Sequence, residues 1–422
     1  MRVVLIVLSL LAAGTGAAQA FCGFYVARAD GALYNQGSKV VYARDGDRST
    51  ITMSSDYRGE ASDFALIVPT PKVLREDQIR VVSAATVDHL DAFSAPRLVE
   101  YFDDDPCRAR YRYDSEMMFS DLGFEEGERR STAAALGVEI AGEYAIGTYD
   151  VLILEASVSD GLITFLKGEG YKLPAGVEPV LRDYIAMGMK FFVARVNLDR
   201  HAAAETRDLP PLQISFTSSD FMLPIQLGKV NADGPQDALI MMLTRRGRVE
   251  VANYATTVLP TDTDVPLFIE DEFADFYRAM FRKAMPDGGI ALEYGWDMAW
   301  CDPCAAEPLS AAELQELGVD WADGDGSMGQ QVYVTRFHAQ YTKNQMPNDL
   351  MFRETDNRAN YQGRYVMNHP FDGEITCIRG GFYIVGVRMR LEAEARRLAE
   401  LTGWNRADFA EKIRASVPKR YW

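Results

Sequence analysis

Short strand patterns joined by tight turns run along most of the chain, and they constrain its fold more than any other feature. Residues 38–52 predict a β-hairpin, because alternating and β-branched residues flank an Asp45-Gly46 turn. Residues 64–69 predict a further strand that ends at a proline. Similar patterns recur at 138–142, 149–154, 191–198, 212–216, 238–243, 249–254, 290–294, 332–341, 364–367 and 382–387. Strands joined by such short turns favour mostly antiparallel sheets.

Helical patterns stand in groups between these strands. Apolar spacing predicts helices at 83–93, 159–168, 177–187, 268–285, 389–401 and beyond 405. The cap-like run Ser94-Ala95-Pro96 predicts one more helix, at Leu98 to Phe102. Grouped helices with antiparallel strands predict an α+β fold. The length suggests two or three domains, and the predicted boundaries are 21–155 (β-rich), 156–289 (α+β) and 290–422 (α+β, with a C-x-x-C motif).

The first 20 residues have the order of a secretory signal peptide. Arg2 gives a positive start, residues 3–13 are uncharged and apolar, and Ala18-Gln19-Ala20 forms an A-x-A site. The apolar run is too short for the roughly 18 residues of a spanning helix. We therefore expect cleavage before Phe21 and a periplasmic or secreted protein. Bulky Phe21 disfavours the alternative of a lipidated Cys22, and no later segment is predicted to span a membrane.

The charge balance excludes some partners. The chain carries 61 acidic and 44 basic residues, a net charge of −17, with no long lysine or arginine run. Nucleic acids and anionic membranes select basic surfaces, so neither is an expected partner. Hydrophobic residues make up 48% of the chain, which is enough for substantial cores. The expected partner is an envelope protein or a ligand.

The cysteines bear on both compartment and function. Five are present, at positions 22, 107, 301, 304 and 377. Disulfides are the default in an oxidising compartment, and the odd count leaves at least one thiol free or paired between chains. Cys22 and Cys107 bracket the first predicted domain, and the other three lie in the last. We therefore predict a Cys22–Cys107 disulfide.

Several short motifs are spread over most of the chain. They are Cys22-Gly23-Phe24-Tyr25-Val26, residues 64–69, residues 94–101, residues 170–174, Trp300-Cys301-Asp302-Pro303-Cys304 and residues 362–365. Together they resemble a family of exported bacterial proteins, the domain of unknown function numbered 2330. The resemblance implies an exported, cysteine-bearing bacterial protein. It implies no catalytic residues.

The motif Trp300-Cys301-Asp302-Pro303-Cys304 also resembles the active site of thioredoxin-like oxidoreductases. In that chemistry Cys301 would be the low-pKa nucleophile and Cys304 would resolve the mixed disulfide. Pro308 interrupts the long helix that such enzymes continue into, and the acidic neighbours of the motif raise a thiol pKa. A structural role, in which Cys377 locks one member of the pair, is favoured.

Metal and cofactor motifs give no positive indication. A zinc site would need Cys301 and Cys304 with Cys377 and His338 or His369, a set without the usual spacing. An EF-hand loop with Gly326 at its sixth position fails, because Trp321 and Val332 stand where acids are required. Solvated acidic turns are the favoured interpretation of the acidic pairs, which are Asp262 with Asp264, Asp323 with Asp325, and Asp103 to Asp105. Nucleophile elbows, phosphate loops and dinucleotide fingerprints do not occur.

The sequence thus predicts no cofactor, no metal and no visible active site. It predicts an exported envelope protein that binds or scaffolds without catalysis. The alternative is a thiol–disulfide oxidoreductase-like protein that uses Cys301 and Cys304.

Overall fold

The computed structural model describes residues 24–27, 34–58, 64–108, 138–157, 159–203, 209–230, 234–300, 306–321 and 331–421. Several positions named above lie outside the described residues: the signal segment 1–20, Cys22, Cys301, Cys304, Asp323 and Asp325. None of the helices in the described part is long and apolar enough to cross a membrane.

The strands cover the whole length of the described chain. In chain order they are β1 (Phe24–Ala27), β2 (Tyr34–Asp45), β3 (Arg48–Arg58), β4 (Phe64–Thr70), β5 (Ile79–Val81), β6 (Arg97–Phe102), β7 (Val138–Ile146), β8 (Tyr149–Ala156), β9 (Lys190–Val196), β10 (Leu212–Thr217), β11 (Met222–Leu223), β12 (Gln236–Thr244), β13 (Val249–Val251), β14 (Thr256–Val258), β15 (Thr263–Asp264), β16 (Gly289–Asp297), β17 (Tyr333–Tyr341), β18 (Leu350–Glu354), β19 (Tyr361–Gln362) and β20 (Arg364–His369).

The helices fall between these strands in small groups. They are α1 (Ala84–Ser94), α2 (Ser159–Gly168), α3 (Val177–Ala186), α4 (Leu198–Ala203), α5 (Gln226–Val230), α6 (Ile269–Ala284), α7 (Ala311–Glu316), α8 (Ile378–Thr402) and α9 (Arg406–Ala415). Mostly antiparallel sheets with grouped helices confirm the predicted α+β class.

Two sheets stack face to face at the centre of the fold. One has five strands in the order β1-β4-β9-β8-β7, and the other has nine, in the order β14-β16-β17-β12-β2-β3-β10-β5 with β19 beside β16. The largest hydrophobic cluster fills the space between them. Side chains alternate across each strand, so Val40 and Tyr42 face this core while Val41 and Ala43 point to the other side of the nine-stranded sheet.

Helices cover the outer faces of both sheets, which gives four layers. Helices α2 and α3 cover the five-stranded sheet. Two separate apolar clusters cover the nine-stranded sheet: one packs α1 and α7 against it, and the other packs α6, α8 and α9. A sheet that buries apolar residues on both faces needs such a cover. The place where these two clusters meet positions the candidate site described below.

The nine-stranded sheet takes strands from all three predicted segments. Strands β2 and β3 come from residues 21–155, β10 and β12 from 156–289, and β16 and β17 from 290–422. The boundaries near residues 155 and 289 stay a prediction.

Two local predictions are wrong. The segment after Pro96 is strand β6 and not a helix, because it pairs in parallel with β20 along its full length. Residues 382–387 belong to α8 and not to a strand. A short run of apolar residues fits either a strand or a buried helix, and periodicity alone does not separate the two.

The disulfide in the described part of the chain joins Cys107 to Cys377. Their Cα atoms are 5.7 Å apart, within the range that disulfide geometry allows. A sulfur atom forms one disulfide, so the predicted Cys22–Cys107 bridge is corrected to Cys107–Cys377. The prediction assumed that bonded cysteines share a domain, whereas this bond ties the end of β6 to the N-cap of α8, 270 residues later.

Candidate functional site

A row of charged side chains crosses the outer face of the nine-stranded sheet, between α1 and α6. We call it the buried charge network, and it consists of Lys39, Asp91, Asp237, Glu293, Arg336 and His338. Most of these side chains come from neighbouring strands, because β2, β12, β17 and β16 lie side by side in that order. Helix α1 adds Asp91 from above. The row lies along the boundary between the apolar cluster that contains α1 and α7 and the one that contains α6, α8 and α9.

Arg336 stands at the centre of this network. Its Nε donates to Glu293 Oε2 at 2.6 Å, and its Nη1 donates to Asp91 Oδ1 at 2.5 Å and to Ser94 Oγ at 3.3 Å. Lys39 Nζ then lies 2.7 Å from the second oxygen of Asp91. One guanidinium therefore ties the sheet to helix α1 through charge-assisted hydrogen bonds, which are the strong kind.

His338 continues the row toward α6. Its Nδ1 lies 3.0 Å from Glu293 Oε1, and its Nε2 lies 2.8 Å from Asp237 Oδ1. The ring of Phe281 packs on the imidazole with centroids 4.2 Å apart. Tyr277, also on α6, donates its hydroxyl hydrogen to Glu293 Oε1 at 2.5 Å. Helix α6 is thus fastened to the same carboxylate as β17.

Burial and opposite charge act against each other in the network. Burial by itself raises the pKa of Glu293, but Arg336 and His338, together with the Tyr277 hydrogen bond, lower this pKa to about 2. Burial also lowers the pKa of His338, yet Glu293 and Asp237 outweigh it and raise the pKa to about 9. At neutral pH the pair is therefore carboxylate and imidazolium.

This arrangement is suited to holding the fold together. A catalytic histidine needs one ring nitrogen free to take or give a proton, and both nitrogens of His338 face carboxylates. The hydroxyl of Tyr277 is committed to Glu293, and burial with the nearby carboxylate raises its pKa well above the usual value. The network stabilises the contact of α1 and α6 with the sheet.

A second polar feature opens at the opposite edge of the same sheet. It is a cleft of about 280 Å³, which we call the arginine cleft. Its polar lining consists of the guanidinium groups of Arg48, Arg75 and Arg80, the carboxylates of Asp77 and Asp320, and the hydroxyls of Thr50, Ser215 and Thr217. Strands β3, β10 and β5 supply most of these side chains, and they are adjacent in the sheet.

Each arginine of the cleft is held in place by the protein. Arg75 makes a bidentate pair with Asp77 at 2.9 Å through both nitrogens, and Arg48 pairs with Asp320. Arg80 donates to the backbone carbonyl of Glu316 at 2.8 Å. The hydrogen bonds and ion pairs of these arginines within the described residues run through Nε and Nη2, and none of them uses Nη1.

Gly318 shapes the wall of the cleft. Its backbone has φ near +90°, a conformation that side chains other than glycine rarely adopt. A Cβ atom at this position would stand 2.5 Å from the side chain of Thr50. Glycine therefore lets the loop after α7 approach β3 closely.

Of the residues considered for metal or redox chemistry, Cys377, His338 and His369 lie in the described part of the chain, and each has other partners there. Cys377 is bonded to Cys107, and His338 belongs to the buried charge network. His369 lies 2.8 Å from Glu100 and stacks on Phe102. In the described ranges, histidine, cysteine, aspartate and glutamate form no group of three suited to a metal ion.

The acidic pairs considered for calcium are engaged elsewhere or undescribed. Asp262 pairs with Arg364, Asp264 accepts a hydrogen bond from Asn368, and Asp103 pairs with Arg390.

The sequence analysis missed the buried charge network entirely. Its one visible sign is the alternation Arg336, His338, Gln340, which places three polar side chains on one face of β17. Such alternation is also typical of a strand with one solvated face. The buried network can be told from a solvated strand face only by the structure, in which α1 and α6 cover these side chains.

The fold and site define a four-layered α+β protein with a buried charge network on one sheet face and a polar cleft at the sheet edge. The chain belongs to DUF2330, a family of uncharacterised proteins conserved in bacteria, whose family model matches residues 16–353. The buried charge network lies inside the matched residues, and α8 lies beyond them. Searches of curated proteins and of solved structures give no match.

Proposed function

We propose that this protein is an exported, non-catalytic binding protein of the cell envelope, and that the arginine cleft holds its ligand. The observation that carries this proposal is the convergence of Arg48, Arg75 and Arg80 on one cleft. Three arginines and two aspartates, Asp77 and Asp320, line the cleft, so its lining has one net positive charge in a protein whose net charge is −17.

The lining of the cleft indicates the class of ligand. Guanidinium groups recognise carboxylate and phosphate, often through two parallel hydrogen bonds. The three hydroxyls add donors and acceptors suited to a hydroxylated ligand. Small-ligand pockets usually have about 300–1,000 Å³, so a volume near 280 Å³ fits a small molecule. The ligand is a small, hydroxylated anion.

Export rests on two features. The first 20 residues have the charge, apolar run and A-x-A order of a signal peptide. The Cys107–Cys377 disulfide is typical of an oxidising compartment. Intact mass of protein from the envelope fraction tests this part. A chain that still begins at Met1 would contradict export, and one that begins at a lipidated Cys22 would contradict cleavage before Phe21.

Calorimetric titration tests the binding function. Citrate, galacturonate and inorganic phosphate serve as anionic probes, and galactose serves as the neutral match of galacturonate. We expect at least one anion to bind and galactose to bind more weakly. The double variant Arg48→Ala/Arg75→Ala should weaken that binding at least about tenfold, because two charged donors are lost.

Arg353→Ala is the matched control. Arg353 is an exposed arginine paired with Glu250 on a neighbouring strand, outside the cleft. Its removal should leave anion binding unchanged. Absence of binding for all three anions, or equal affinity in the cleft variant and the wild type, would rule the proposal out.

A thiol–disulfide function through Cys301 and Cys304 is the second candidate. Two observations keep it open: Cys377 is bonded to Cys107 and cannot lock the pair, and exposed Trp300 precedes the motif. An insulin-reduction assay that compares wild type with Cys301→Ser decides it. We expect little activity in either; activity that is lost in Cys301→Ser would establish the oxidoreductase instead.

A further inference from the structure

Helix α8 begins with an apolar stripe that faces away from the protein. Ile378, Phe382, Val385 and Met389 are 90%, 78%, 55% and 69% exposed. They are spaced four, three and four residues apart, so they form one line along the helix. We call this line the α8 stripe. Large apolar side chains gathered in this way mark an interaction surface, whereas scattered ones do not.

The rest of α8 is firmly packed, so the stripe has a defined geometry. Val387, Leu391 and Leu398 on the opposite face are buried in the cluster with α6 and α9. The Cys107–Cys377 disulfide fixes the N-cap. Tyr383 and Arg390 on the flank bond to Asp103. These contacts leave the stripe on the remaining side of the helix.

We propose that the α8 stripe is a self-association surface, on which a second copy of this chain packs its own α8 in an antiparallel direction. The spacing four, three, four reads the same in both directions. A twofold axis between Phe382 and Val385 therefore places Phe382 against Val385 of the second copy and Ile378 against Met389. A self-complementary patch of this kind is what a twofold dimer requires.

Two further features fit a second helix. Gly381 and Gly386 are exposed beside the stripe, and a Cβ atom built on either would meet open space. Small residues there let another helix approach closely. The four stripe side chains expose on the order of 600 Å² per copy, so their complete burial in a dimer would remove at most on the order of 1,200 Å² from water, which is the lower limit of a stable interface.

Two exposed aromatic side chains and the charge pattern of α8 also bear on this surface. Tyr101 and Phe102 are exposed at the end of β6, next to the Asp103 that bonds to α8. Two charged residues, Arg379 and Arg388, lie near the two ends of the stripe, and none lies between them. Depletion of charge at the centre of the patch is typical of protein interfaces.

Sedimentation analysis of the full exported chain over a concentration series tests the proposal. We expect a dimer in the wild type. Phe382→Glu and Val385→Lys should each weaken it by at least roughly 30-fold, since each places an unpaired charge in an apolar contact. The two single variants mixed together, and the double variant Phe382→Glu/Val385→Lys, should recover the dimer. An antiparallel pair brings the glutamate of one copy against the lysine of the other.

Met187→Glu is the matched control. Met187 is an exposed methionine at the end of α3, away from α8, and its variant should dimerise as the wild type does. A parallel pair would place glutamate against glutamate, so failure of the mixture and of the double variant would overturn the antiparallel arrangement. The proposal would be overturned if the wild type stayed monomeric at all concentrations. It would also be overturned if neither single substitution changed the dissociation constant of the dimer. A monomer that co-sediments with zwitterionic lipid vesicles would assign the stripe to a lipid surface instead.

Discussion

The buried charge network and the α8 stripe present opposite arrangements of polarity in one molecule. In the network, charged side chains are buried: Arg336 is 5% exposed and Glu293 is 1% exposed. In the stripe, apolar side chains are exposed, and Ile378 is 90% exposed. Either arrangement raises the free energy of the protein if the side chains have no partner. The network has its partners inside the chain, whereas the stripe has none within the described residues.

This difference separates stabilisation from association. A buried charge that loses its partner destabilises the fold, because the remaining charge stays away from water. An exposed apolar side chain contributes little to the fold of a single copy, since it is in water in both the folded and unfolded states. Substitutions in the two regions should therefore change different measured quantities.

The largest expected effect comes from Arg336→Met. Removal of the guanidinium leaves Glu293 and Asp91 as buried carboxylates with fewer partners, which should lower the free energy of unfolding by about 3–5 kcal/mol. Urea unfolding measures this. Arg353→Met is the matched control, because Arg353 also pairs with a glutamate across neighbouring strands but is exposed. It should change stability by less than about 1 kcal/mol. Equal losses in both variants would refute the contrast.

A somewhat smaller loss is expected for Cys107→Ser. The variant removes the disulfide that fastens the N-cap of α8, and such a loss costs about 2–5 kcal/mol. Cys22→Ser should not reproduce it, since Cys107 is bonded to Cys377. Unfolding with and without reductant gives the comparison, and a peptide map without reduction identifies the pair. A Cys22–Cys107 peptide would contradict the structure.

The third expected effect is a pH dependence of stability. The pKa of His338 is raised from the usual 6.5 to about 9 in the folded protein. Its contribution is therefore complete below about pH 6.5 and is lost as the pH rises through 9, on the order of 3 kcal/mol. For Glu293, with a pKa lowered to about 2, the contribution is complete above about pH 4.5 and is lost as the pH falls through 2.

His338→Gln checks the alkaline part of this dependence. A glutamine has no proton to lose between pH 6.5 and 9, so the decline in unfolding free energy over that window should become smaller than in the wild type. His369→Gln is the control, because His369 lies outside the network against Glu100. An unchanged decline in His338→Gln would show that His338 is not the group responsible.

Much of the fold follows from local signals that the sequence carries. The predicted turn in Asp45-Gly46-Asp47 is present, with Gly46 and Asp47 as the two residues that join β2 to β3, and apolar spacing locates α1, α3 and α6. Other parts depend on pairings between distant segments. Strand β6 is a strand because β20, more than 260 residues later, pairs with it along its length. The local proline signal alone predicted a helix there.

The candidate sites depend even more on distant contacts. Asp91, Glu293 and Arg336 come together only when α1 covers two adjacent strands, and each one alone looks like a solvated charge. The stripe could not be predicted because apolar residues in a sequence look buried. Phe382 and Val385 lie in a continuous apolar run, Phe382 to Val387, which predicts a buried strand until the helix shows which side chains face outward.

The central claim is that the network stabilises the fold while the α8 stripe serves association. The most direct test measures two quantities, unfolding free energy and molar mass in solution, for Arg336→Met and Phe382→Glu. We predict that Arg336→Met loses about 3–5 kcal/mol and stays dimeric where it is folded. Phe382→Glu should become monomeric, and its unfolding free energy, compared with the wild type at a concentration too low for dimers, should change by less than about 0.5 kcal/mol. Large loss of stability in Phe382→Glu, or a monomeric folded Arg336→Met, would contradict this division.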